Sequence, residues 1–148
     1  MKKPPTLIFS ALLAIQLFTA SSAVAEGLFV SDSKHYGESK MDIVVRETER
    51  RSRSSLVEVT INKVGSSVGS SFFLLCSLRN LGRERGFPRY IAKAENFPAH
   101  RTWLVAFLNG PDDDPKQADP QLAEFPKPVP VIDLQQFAPI CDRMGTEK

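Results

Sequence analysis

The sequence predicts a single small α+β domain in β-β-α-β-β order, with one amphipathic helix packed on a sheet and an irregular, proline-rich C-terminal tail. Three observations carry that prediction. Val57, Val59 and Ile61 alternate with Glu58, Thr60 and Asn62, the period-two pattern of a half-buried strand. Leu74, Leu75, Leu78 and Leu81 share one stripe when successive residues advance by about 100°. Seven of the eleven prolines lie from Pro111 onward.

The chain opens with Lys2 and Lys3, then an apolar run from Leu7 to Phe18 broken only by Ser10 and Gln16, then a small-residue stretch ending Ala23-Val24-Ala25. That order is expected of a secretory signal peptide over residues 1–25, cleaved between Ala25 and Glu26. Its apolar core of about 12 residues is shorter than the roughly 20 that span a bilayer. Glu26 rather than a cysteine stands directly after the cleavage point, which argues against lipid attachment there, and no later segment has the length and apolarity of a transmembrane helix. The expected product is exported, periplasmic or secreted, and about 123 residues long, enough for one modest core.

In the remainder, residues 26–40 read as a loose polar lead-in, 41–110 as the core and 111–148 as the acidic tail, docked on that core. The first strand is expected over Asp42 to Glu47, around Ile43, Val44 and Val45. The run Glu49-Arg50-Arg51-Ser52-Arg53-Ser54-Ser55 is too charged to bury and reads as a solvated loop. After the alternating strand, the Gly/Ser turn at 64–71 leads into a helix from Phe72, capped by Ser70 or Ser71. Gly86 fits the left-handed position just past a helix, Phe87 can fold back onto Leu81, and Pro88 stops continuation. Two further strands follow, Arg89 to Glu95 and Thr102 to Asn109, joined through residues 96–101. The second is nearly all apolar and reads as central and covered on both faces. Beyond it the prolines exclude regular sheet pairing, leaving Val129 to Ile132 and Phe137 to Ile140 as two apolar grips.

Charge narrows the function classes. The chain has 19 Lys+Arg and 17 Asp+Glu. Removing Lys2 and Lys3 with the signal leaves the product near neutral, so its basicity is no argument for nucleic acid. The distribution is uneven: 11 basic and 5 acidic residues from Arg46 to Arg101, but 4 basic and 8 acidic from Pro111 to Lys148. The tail can sit against the basic core and offset its field, or the basic segment can face an anionic partner. The first reading is favoured. Two cysteines, Cys76 and Cys141, in an oxidising compartment favour a bridge over free thiols. Cys76 lies off the leucine stripe on the flank shared with Phe72, where a crossing segment carrying Cys141 could meet it.

Residues with possible chemistry are few. Gly65-Ser66-Ser67-Val68-Gly69 fits G-x-S-x-G between a strand and a helix, with Ser67 as nucleophile. Only His100 follows it, and no histidine follows Asp112-Asp113-Asp114 or Asp119, so the acid-then-histidine order of that elbow is missing. The same turn could touch an anion. The consecutive aspartates do not reproduce a calcium loop. His35, His100 and the two cysteines are too scattered for zinc, and without Cys-x-x-Cys a thiol–disulfide oxidoreductase is not expected. No catalytic, cofactor or metal residue is assigned.

The stretch Ser55 to Glu95 combines an alternating strand, a Gly/Ser turn, a helix ending Glu84-Arg85-Gly86-Phe87 and the strand opening Pro88-Arg89-Tyr90. In this it resembles a group of small exported, periplasmic or lipoprotein-like α+β proteins of Gram-negative bacteria, over about a third of the expected product. The resemblance implies compartment and fold, and no activity. The functional expectation is a non-enzymatic binding or accessory protein of the bacterial envelope, partnered by an envelope protein or an anionic surface. The alternatives are a small serine hydrolase using Ser67 with His100, and a binder of anionic surfaces through Arg50, Arg51 and Arg53 in the 46–53 loop.

Overall fold

The computed structural model describes residues 27–36 and 40–144. The expected signal peptide and its Ala25/Glu26 cleavage point lie outside them. The described residues form a six-stranded sheet in the order β1-β2-β3-β5-β4-β6, every neighbouring pair antiparallel. The strands are β1 (Val30–Asp32), β2 (Asp42–Arg50), β3 (Ser54–Lys63), β4 (Tyr90–Ala94), β5 (Thr102–Leu108) and β6 (Val131–Asp133). The helices are α1 (Ser67–Glu84), α2 (Pro115–Ala118) and α3 (Ala138–Met144), with 3-10 turns at Ser33–Tyr36, Pro120–Glu124 and Leu134–Phe137. The class is mixed α+β, as expected, but the β-β-α-β-β order is extended at both ends.

Within the lead-in, residues 30–36 are structured, as β1 and the first 3-10 turn. Ser33 Oγ donates to the Met41 carbonyl at 3.2 Å and accepts from the Ile43 N–H at 3.0 Å, while Ser31 meets Ser77 Oγ of α1 at 2.9 Å. Strand β1 pairs antiparallel with the edge of β2 through its backbone, and the two serine hydroxyls tie the turn after it to β2 and β1 itself to α1. The tail also departs from expectation. Its prolines leave Val131–Asp133 free to pair antiparallel with Tyr90–Ala92 as β6. Pro139 sits in the first turn of α3, where a missing N–H leaves no bond unmade.

Each face of the sheet has its own core. On one, Ile43, Val45, Val57, Trp103, Val105 and Phe107 meet Phe73, Leu78 and Leu81 of α1 and Leu134 of the tail. On the other, Ala92, Ala94, Leu104, Ala106 and Leu108 meet Ala118 and Leu122. The tail segment Pro115–Glu124 is therefore the outer layer over β5 and β4. Strand β5, with residues 103–108 all buried, is covered on both sides as its composition required.

Helix α1 begins earlier and turns differently from the leucine-stripe reading. It starts at Ser67, and Ser66 is its cap, accepting from the Gly69 N–H at 3.0 Å. Ser70 and Ser71, the expected caps, instead donate their hydroxyls to the Ser67 carbonyl. The buried stripe runs through Ser70, Phe73, Ser77, Leu78 and Leu81, and Leu75 is only half-buried. At the far end the Phe87 N–H bonds the Gly82 carbonyl and the Gly86 N–H bonds the Arg83 carbonyl, with Gly86 at φ 81°. These two bonds make the paired helix stop that the Gly86-Phe87-Pro88 sequence signals. Phe87 itself stacks on Phe107, ring centroids 5.7 Å apart.

Candidate functional site

The most charged part of the chain lies where β2 ends, β3 begins and α1 ends. Glu47 follows Ile43 and Val45 at inward positions of β2, so its carboxylate enters the core edge and is 1 % exposed. It accepts from Arg50 Nη2 at 2.6 Å, Ser55 Oγ at 2.6 Å and the Phe29 N–H at 3.2 Å. Arg85, the residue that ends α1, reaches the same cluster: Nη1 donates to Ser55 Oγ at 2.5 Å and Nη2 donates to the Arg51 carbonyl. Burial pushes the Glu47 carboxyl up, but the hydrogen bonds from Arg50, Ser55 and Phe29 outweigh it and hold the group below the usual carboxylate range. Burial lowers the Arg85 guanidinium.

A second knot ties the tail to the same loop. Asp119 accepts from Ser54 Oγ at 2.5 Å, from Arg51 Nη1 at 2.9 Å and from the Gln121 N–H at 2.9 Å. Burial raises its carboxyl, and Ser54, Gln121 and Arg51 pull it below the ordinary value. Arg53 donates to Asp113 at 2.9 Å. The Glu49-to-Ser55 run read as solvated is thus partly interior: Ser54 and Ser55 are buried, and only residues 51–53 separate the strands. Arg50, Arg51 and Arg53, the residues named for anionic surfaces, are all committed to the chain's own carboxylates.

Ser67 is the first helical residue of α1 and His100 lies exposed in the β4–β5 connection. Among the described residues no hydrogen bond joins them. His35 is exposed in the first 3-10 turn. Of the three consecutive aspartates, Asp113 accepts from Arg53 and the Asn109 N–H, and Asp114 caps α2 through the Lys116 N–H. Among the described residues no group of three or more His, Cys, Asp or Glu is placed to hold a metal ion.

Cys76 and Cys141 form a disulfide, Cα atoms 5.3 Å apart, that ties α3 to the middle of α1. Phe72 meets Phe137 at 6.5 Å and Arg79 pairs with Asp142 at 2.9 Å beside it. Clefts open on both sides of α3. One, of about 340 Å³, is lined by the disulfide with Tyr36, Arg79, Arg83 and Asp142. The other, of about 460 Å³, lies between α3 and the Gly/Ser turn, and Met144 lines both. A third, of about 380 Å³, sits on the tail between Lys116, Lys127, Phe125 and Asp114. The two beside α3 were not legible as sites, because each joins segments far apart in sequence, whereas the third lies wholly within residues 114–129.

No family model, curated relative or solved structure matches the chain. No helix among the described residues is long and apolar enough to cross a membrane.

Proposed function

We propose that the protein is an exported, non-enzymatic binding or accessory domain of the bacterial envelope. The observation that carries this reading is the disulfide-fixed helix α3 with an open cleft on either flank. A covalent tie over a separation of 65 residues suits a chain that folds where thiols oxidise. It also makes the concave surface beside α3 a preformed one, the usual form of a small-ligand site. The strongly charged residues support the same reading, since the arginines of the 46–53 loop and Arg85 hold strands and tail together.

Intact-mass measurement on protein recovered from an export-competent host tests the compartment. The expected species begins at Glu26 and gains no alkyl groups without prior reduction. A species beginning at Met1, or one with two alkylatable thiols, overturns it. A fluorophosphonate probe tests the absence of serine chemistry. Labelling of the wild type that disappears in Ser67→Ala would replace this reading with the hydrolase.

A further inference from the structure

We infer that the cleft between the Gly/Ser turn and α3 binds a fatty carboxylate, its acyl chain in the cleft and its carboxylate at Lys40. This rests on the reading of the chain as a binding domain and names the ligand class. The three clefts differ in chemistry, and the difference decides between them. The one beside the disulfide pairs Arg79 with Asp142, and the one on the tail sets Asp114 beside Lys116 and Lys127. The third has Met41, Phe72, Ile140 and Met144 as its walls, and among the described residues the exposed Lys40 is its one charged lining residue. Each of its serines already makes one hydrogen bond, Ser66 Oγ accepting from the Gly69 N–H and Ser70 Oγ donating to the Ser67 carbonyl.

Such a lining leaves a polar ligand with little to bond. A peptide would bring more amide groups than two half-used hydroxyls can meet, at a desolvation cost. A bare anion would leave the apolar walls uncovered, and a neutral hydrocarbon would leave Lys40 unanswered. A single flexible chain with one negative end satisfies both, and methionine walls adapt to such a chain. The volume of about 460 Å³ is within the range of small-ligand sites. Ile61, Val64 and Val68, close in sequence to the cleft-lining Gly65, Ser66 and Gly69, are apolar side chains left 46 %, 47 % and 64 % exposed.

Calorimetric titration of the exported protein with octanoate, decanoate and dodecanoate, each below its aggregation concentration, tests the inference. The expected result is saturable one-to-one binding that tightens about fourfold per added methylene. Lys40→Glu should weaken dodecanoate about tenfold and abolish its advantage over dodecanol, and Val68→Asp, on an exposed side chain, should weaken it too. Lys116→Glu, in the tail cleft, should leave binding unchanged. Binding indifferent to chain length or to Lys40→Glu, or equally sensitive to Lys116→Glu, overturns the assignment. So does adsorption to phosphatidylglycerol vesicles without binding of monomeric dodecanoate, which would make the patch a membrane contact. If dodecanoate fails to bind an exported, oxidised, probe-inert chain, the ligand class falls and the binding-domain reading stands. A species retaining Met1 or carrying free thiols removes that reading whatever dodecanoate does.

Discussion

Glu47 concentrates the electrostatics of this fold in one side chain. Its carboxylate is fully buried, with Arg50 and the nearly buried Arg85 both within ion-pair distance. Removing one partner of such a cluster leaves the others buried and uncompensated, which typically costs about 3–5 kcal/mol. Glu47→Gln, nearly isosteric, should therefore destabilise by about 3 kcal/mol, read as a lower urea midpoint with unchanged slope. The same chemistry sets a pH dependence. Glu47 and Asp119 titrate below their unfolded values of 4.5 and 3.8, so across that interval the unfolded chain holds more protons and stability rises with pH. Stability should be level above about pH 5 and fall as pH drops through the folded values. An acid limb unchanged in a Glu47→Gln, Asp119→Asn double variant would contradict this. Glu47 was readable in advance as the residue two beyond Val45 on the inward face of β2. Its partners were not, because Arg85 and Ser55 converge only through the packing of α1 on the sheet.

At the scale of elements, α1 shows what local patterns convey and where they stop. The Gly86-Phe87-Pro88 stop and the alternation of β3 rest on backbone rules that act within a few residues, and both were legible. The helix start and buried stripe were not, because the serine hydroxyls at 66, 70 and 71 could each serve as a cap, and because Phe73 and Ser77 face the sheet in place of Leu75. Gly82 exposes the same contrast. In an exposed helix, Gly→Ala gains roughly 1 kcal/mol. Here a Cβ at Gly82 would lie 2.6 Å from the Phe87 carbonyl oxygen, a backbone atom of the very turn that closes the helix. Gly82→Ala should thus lose about 1–3 kcal/mol in place of the usual gain, with hydrogen-exchange protection lost first at the Phe87 amide. A stabilised Gly82→Ala would show that the helix stop yields without cost.

The whole molecule is built as two cores sharing one sheet, and the proline-rich tail belongs to both. Leu134 and Ala138 from the tail are buried on the α1 side. Ala118 and Leu122 close the opposite side over β5 and β4. Composition suggested an irregular tail outside the sheet because prolines interrupt every long run, yet sheet pairing needs only the three residues Val131–Asp133, and side-chain burial needs only isolated anchors. The charge imbalance between halves was the better guide: Arg51 and Arg53 meet Asp119 and Asp113 as a core and its counter-layer would. If the tail is a structural layer, its loosening must unfold the sheet. Leu122, 1 % exposed and remote from the disulfide in sequence, isolates that question. Truncating it to alanine removes apolar contact from the buried cluster that Leu122 shares with Ala92, Ala94 and Leu104, where the short alanine side chains have little reach to fill the space. The cost should be about 2–4 kcal/mol, a large share of a small domain's stability. It should appear as one transition, with tail and sheet amides in β4 and β5 losing protection together. A variant whose tail melts first while β5 stays protected would show instead that the sheet holds one face without its outer layer.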